Sequence, residues 1–409
     1  MDDDSQNNDI GGICDPLVKV TCDLVIGQAI RDKAQWICID PLERDVRIRY
    51  PINGVMTDVM ALSKSDARPL IAHFKELSSL NLSERRVPKD ERIPVHHDGV
   101  EYDLHGICEA TEFGVRVLLR LNRTSMFLPT LDNHGFDLIS LAALKQAAAA
   151  SGGMILVTGP RESGRTTLLY SVINDRNQPQ VNVLTIEDPV EFDLPGIAQV
   201  HIQAKAGMTF AAALRAFLRG DPDVIMLSDI PDLETARIAM EAATTDHLLL
   251  AGMQTASAPT ALLRLREMGI EADRIAASVS VVVGIRLVRR LCDYCKTAMD
   301  PGDAAEAMRR VRDMPTIIKY EVPEAPILFD ATGCPACGES GFQGRIALHE
   351  VLTCNPELVN GILESDDREE MTRVAVSNDM RTLLADGLAR AVGGETTIDE
   401  VIAVTTEED

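Results

Sequence analysis

Aromatic side chains are scarce in this chain: one Trp and five Tyr among 409 residues. A reader of single-stranded nucleic acid stacks bases on such rings, so that function class has little support. Basic charge is also in short supply, with 40 Lys and Arg against 63 Asp and Glu and a net charge of −23. That balance opposes non-specific attraction to DNA, RNA or anionic lipid. No apolar run approaches the length of a membrane span, because "SVSVVVGI" stops at Arg286. The opening "MDDDSQNND" is acidic and polar, the opposite of a signal peptide, and reads as a disordered tail over residues 1–24. A cytoplasmic location is expected, with the nine cysteines reduced.

Patterning divides the rest. "WICIDP" and "DVRIRYPINGVMTDVM" alternate as strands around an Asn53-Gly54 turn, and "SDARPLIAHFKELSSL" is amphipathic at helical spacing. "VEYDLHGI" and "VRVLLRL" complete a small α+β domain over residues 25–128. Beyond a connector with Pro129 and Gly135, strands alternate with helices, the signature of a parallel sheet covered on both faces. This α/β domain is expected over 135–409, its last part, 346–409, as helices. The basic stretch "RLVRRL" at 286–291 reads as a partly buried helix.

"GPRESGRTTLLY" follows the strand "GMILVTG" and opens a helix, the context of a phosphate-binding loop. Its candidate nucleotide ligands are Gly159, Ser163, Gly164, Arg165, Thr166 and Thr167. Backbone N–H groups of such a loop face the phosphates, and the Thr166 hydroxyl is placed to ligate Mg²⁺. Two residues work against it. Arg165 stands where a lysine normally reaches the β- and γ-phosphates, and its planar fork does not replace a point charge. Glu162 brings a carboxylate into a loop that attracts anions.

Cys292-x₂-Cys295 and Cys334-x₂-Cys337 form two knuckles with 38 residues between them. Four thiolates at this spacing suit a closed tetrahedral Zn²⁺ site, here a structural clip spanning 290–345. The other five cysteines, at 14, 22, 38, 108 and 354, are scattered and read as small buried apolar residues.

From about Ala29 onward the sequence resembles the ATPases of type II secretion and type IV pilus assembly. The resemblance is carried by "AIRDKAQWICIDP", "RIRYPINGV", "SERRVPKDER", the loop above, "TIEDPVEFDLPGIAQV", "TFAAALRAFLRGDPDVIML", "LETARIAMEAATTDHLLL", "RLVRRLCDYC" and "GCPACGESGFQGRIALHE". It implies a RecA-like P-loop core and a ring of six subunits holding ATP with Mg²⁺ between neighbours. It also implies an inner-membrane platform protein as partner, a place at the inner membrane's cytoplasmic side, and a zinc site of the assembly type. Glu187, Asp188 and Glu191 match the family's acidic box, where a carboxylate orients or deprotonates the attacking water. Asp229 stands for the Walker B glutamate, one methylene or roughly 1.5 Å short, and Ser228 and Pro231 depart from the pattern around it. His247 matches the first histidine of the His box, whereas Gln254 occupies the second. Arg85, Arg86 and Arg92 match a block that lends arginines to the nucleotide, while Pro51 replaces another arginine. These departures point to impaired hydrolysis, and leave two outcomes: a slow motor, or a non-hydrolysing ring subunit. The family's further N-terminal domain, which docks on a membrane adaptor, has no room before residue 29, implying another docking route or a ring shared with an intact paralogue.

Overall fold

The computed structural model describes residues 16–32, 34, 36–52, 55–77, 92–97, 100–123, 130–314 and 326–406. The chain divides into two compact units, residues 1–126 and 127–409.

In the first unit, helix α1 (Pro16–Arg31) precedes strands β1 (Trp36–Pro41), β2 (Asp45–Ile52) and β3 (Val55–Ser63), then α2 (Lys64–Leu77), β4 (Arg92–His97), β5 (Val100–Thr111) and β6 (Gly114–Arg123). The strands form one antiparallel sheet in the order β3-β2-β1-β6-β5-β4. Alternation in β2 places Val46, Ile48 and Tyr50 inward while Arg47 is exposed, as a sheet with one covered face requires. Those three pack with Ile37, Ile39, Leu119 and the apolar sides of α1 and α2. The α+β reading holds, with one difference: α1 begins at Pro16, inside the stretch expected as a tail.

The second unit begins with α3 (Leu138–Ala149), β7 (Gly153–Thr158), α4 (Arg165–Arg176), β8 (Val183–Glu187), β9 (Ala198–His201), α5 (Phe210–Leu218), β10 (Val224–Leu227), α6 (Leu233–Ala243) and β11 (Leu248–Met253). It continues through α7 (Ala258–Glu267), α8 (Ala272–Ser278), β12 (Val279–Leu291), β13 (Thr297–Ala298), α9 (Pro301–Arg312), β14 (Phe329–Asp330) and β15 (Phe342–Thr353). Four helices end it: α10 (Pro356–Leu363), α11 (Arg368–Ser377), α12 (Leu383–Val392) and α13 (Ile398–Thr406). The main sheet runs β15-β12-β7-β11-β10-β8-β9, parallel throughout except for β15, which lies antiparallel to β12. Its central strands are continuous apolar runs, and β10 and β11 are buried at every position, because helices cover both faces.

Two readings change. "RLVRRL" is the end of β12, not a helix. Its charges fit a strand because the fold brings partners to them: the Arg289 guanidinium lies 4.0 Å over the Phe342 ring and pairs with Glu400 at 2.6 Å. The segment after the cysteines opens with the long edge strand β15 before its helices begin, so 346–409 is not helical throughout.

Candidate functional site

Parallel strands end on the same edge, and the loops beyond their carboxyl ends make the crevice of such a sheet. β7 ends at Thr158, and the loop 159–164 carries the chain into α4. Gly159 is forced: a Cβ there would meet the Ile285 carbonyl and Ser163 Oγ, each at 2.5 Å. Gly164 caps α4 from a left-handed conformation at φ 98°. Glu162 adopts φ 63°, a region costing a side chain about 1 kcal/mol or more. The glutamate is exposed, and its charge acts on Arg345 of β15.

The loop's polar side chains turn inward. Ser163 Oγ is buried without a hydrogen-bond partner, and so is Nη1 of Arg165. Burial pulls the Arg165 guanidinium below its ordinary pKa, and Asp229 and Glu191 push it back up. Burial likewise raises the Asp229 carboxyl, opposed by Arg165 and by the Ile230 N–H, which donates to it at 2.9 Å. The Thr166 hydroxyl donates to Glu191 at 3.3 Å. Thr167 is half-buried one position further into α4.

Glu187, at the end of β8, is fully buried. Thr185 Oγ1 donates to its Oε1 at 2.6 Å and Gln199 Nε2 at 3.0 Å, while the Tyr170 hydroxyl donates to Oε2. Burial raises this carboxyl and the three donors lower it. A carboxylate so enclosed braces the turn after β8 rather than meeting water. Tyr170 and Gln199 were not anticipated as its partners; a tyrosine one helical turn past Thr166 was the available signal.

His247 is not brought to the loop. It precedes β11, level with Gly152, so six residues of strand, about 20 Å, separate it from the phosphate edge. Its Nδ1 donates to the Pro222 carbonyl at 2.7 Å, which makes it a brace at the opposite edge. Gln254 stands exposed at the correct end, beside Met253, whose carbonyl accepts from Gly159 N at 3.3 Å. Arg85 and Arg86 lie outside the described residues, and for Arg92 only its strand position opposite His105 is described.

The four cysteines converge at the neck between β12 and β15. Sγ–Sγ separations are 3.9 Å for Cys292–Cys334 and 3.8 Å for both Cys295–Cys337 and Cys334–Cys337. All four sulfurs lie within 4.8 Å of one another. A tetrahedral Zn²⁺ with bonds of about 2.3 Å has edges of about 3.8 Å, so the donor set fits that ion. Burial pushes the Cys337 thiol up, but the Cys334 and Gly341 amides and neighbouring thiols outweigh it and hold it at about 6. Among the described residues this is the one cluster of metal-binding side chains, and no helix is long and apolar enough to cross a membrane.

A family model described as "Type II/IV secretion system protein" matches residues 14–403. The chain belongs to that family. Among curated secretion-family relatives, "Type IV pilus assembly ATPase PilB" of Thermus thermophilus is 37% identical over 383 residues, covering 94% of this chain and 42% of that one. "Putative type II secretion system protein E" of Escherichia coli K12 is 36% identical over 384 residues, covering 93% and 76%. The chain thus spans less than half of the first relative and about three-quarters of the second. Among solved structures, the Legionella pneumophila ATPase DotB aligns with a TM-score of 0.67 at 20% identity, covering 94% of this chain and 95% of that one. The pilus retraction motor PilT with bound ADP aligns at 0.61 and 20%, covering 94% and 97%. These bear out the RecA-like P-loop fold expected of a type II/IV secretion family member.

Proposed function

We propose that this chain is a cytoplasmic, motor-type subunit of a type II secretion or type IV pilus-like assembly system that binds nucleotide and hydrolyses it poorly. Family membership and the relatives' names support the first part. The second rests on one observation: Arg165 carries its Nη1 buried and unpartnered, under the pull of Asp229 and Glu191. In place of a lysine extended toward phosphate, the loop holds a largely buried guanidinium whose charge is balanced against two acids of the same site.

Gly159, Ser163, Gly164, Thr166 and Thr167 would hold the phosphates, with Arg85 and Arg92 adding charge. Magnesium-ATP, when bound, supplies the phosphoryl group and the metal charge that polarises it. Asp229 and Glu191 are the carboxylates left to position water and metal, since Glu187 is enclosed. Cys292, Cys295, Cys334 and Cys337 would hold a structural Zn²⁺. The subunits would form a hexameric ring, alone or with an intact paralogue, against an inner-membrane platform protein and without nucleic acid.

A second reading is favoured by Glu187: with three donors and no exposed surface, it suits a non-hydrolysing pseudo-ATPase acting as a structural or regulatory ring subunit. Phosphate release and fluorescent-nucleotide binding, measured on full-length zinc-loaded protein beside an active relative, separate the two. The proposal expects measurable binding with slow release, and tighter binding in the Arg165→Lys, Glu162→Gly double variant. Release at the relative's rate would refute impaired hydrolysis. Binding by neither the wild type nor the double variant, with the relative binding normally, would leave the second reading.

A further inference from the structure

We infer that Glu350, assisted by Arg286, is a positioning residue that fixes the turn between β11 and α7 against both the phosphate loop and helix α12. This deepens the proposed function and rests on that reading for its nucleotide arm. The Glu350 side chain is buried. Its Oε1 accepts from Ala258 N at 2.8 Å and its Oε2 from Leu383 N at 3.3 Å. Ala258 is the first residue of α7 and Leu383 the first of α12. The first N–H groups of a helix have no partner within it and carry the positive end of its dipole. One carboxylate therefore joins two helix starts at once, through charge-assisted bonds.

The bridge lies on a row that ends at the nucleotide loop. Glu350 pairs with Gly284 across β15 and β12, and Gly284 pairs with Thr158 across β12 and β7. Gly284 leaves the space that the carboxylate fills: a Cβ there would lie 3.3 Å from Glu350 Cβ and 3.5 Å from Oε1. Thr158, the residue before Gly159, bonds Thr255 through their hydroxyls at 2.5 Å. Arg286 Nη2 donates to the Ala256 carbonyl at 2.6 Å, and Nη1 to the Ile285 carbonyl at 3.1 Å, the oxygen against which Gly159 packs. The turn that presents Gln254 is thus held on one side by Thr158, on another by Arg286, and at its helical end by Glu350. From Leu383 the same carboxylate reaches α12, whose Leu384 and Leu388 pack on Ala307 and Met308 of α9, the helix between the two cysteine knuckles.

The test uses full-length, zinc-loaded protein with Glu350→Gln, and Val359→Ala in α10 as a core truncation that removes no bond of the row. Amide hydrogen exchange at Ala258 and Leu383 and titration with a fluorescent ATP analogue are read well below each thermal midpoint. Glu350→Gln should raise exchange at both amides together and weaken nucleotide binding about tenfold, the scale of one charge-assisted hydrogen bond. Val359→Ala should do neither. Should Glu350→Gln fail to fold, Arg286→Lys, which keeps the charge and loses the fork, is expected to weaken binding in the same direction. Unchanged affinity, or an equal loss in the core truncation, overturns the inference. If the wild-type protein binds no nucleotide, the proposed function fails instead. The bridge is then judged by exchange alone: both amides rising together supports it, and one rising without the other overturns it.

Discussion

Acidification should destabilise the second unit through His349, and the size of the effect follows from its surroundings. His349 lies on β15 with its ring stacked on Phe136 at 3.8 Å between centroids, and neither ring nitrogen has a partner. The His134 ring lies 6.4 Å away, with its Nε2 bonded to Ser171 Oγ at 2.8 Å. Burial first, then His134 and Arg390, hold the His349 imidazole well below its usual pKa, and burial pushes His134 down to about 4. At these two histidines the folded chain therefore binds fewer protons than the unfolded chain below pH 6.5, and their contribution to stability falls as pH falls. Each pH unit below the unfolded value of about 6.5 over which the fold excludes that proton costs at most about 1.4 kcal/mol. The raised carboxyls of Glu187, Asp229, Glu350 and Asp386 act in the opposite sense, since the fold holds their protons longer. The clean observable is thus a difference between proteins. His349→Phe keeps an aromatic partner for Phe136 and removes the titration. Thermal unfolding of both zinc-loaded proteins at pH 7.5, 6.5, 5.5 and 5.0 should show the wild type losing more than the variant as pH falls, by up to about 4 °C at pH 5. Parallel pH profiles would refute the reasoning.

Zinc removal by a chelator should loosen the clip and the helices packed on it, lowering the thermal midpoint and exposing four thiols to a thiol reagent; cysteines protected equally with and without metal would argue against the ion. Tyr170→Phe should cost about 1–2 kcal/mol in urea unfolding, because Glu187 is left buried with one donor fewer. A variant as stable as the wild type would mean that Thr185 and Gln199 satisfy that carboxylate unaided.

The phosphate loop was legible because its signals are local: an apolar strand, a glycine pair at fixed spacing, and a hydroxyl opening a helix. The cysteine clip was legible for the same reason. His247 was misplaced because a motif gives order along the chain but not the direction in which a strand carries it. Six apolar residues separate that histidine from Gln254, and at about 3.3 Å each only one of the two positions can stand at the loop. "RLVRRL" reads as a partly buried helix, whereas Arg286 and Arg289 find the Ala256 carbonyl, Phe342 and Glu400, 30 to 111 residues away. The enclosure of Glu187 and the double bond of Glu350 were hidden likewise, since each joins groups that only the sheet brings together.

The cysteine neck has a consequence for how this chain can vary. β12 enters it and β15 leaves it, so the chain departs from Cys295 and returns at Cys334 with those two ends side by side. Once a metal fastens the throat of such a pouch, the cost of closing it grows only slowly with its contents, about 0.6 kcal/mol for each doubling of length. Changes of length between the knuckles are therefore cheap, whereas exchanges on the buried side of α9 press on Leu384 and Leu388 of α12 and so reach the helix start that Glu350 holds.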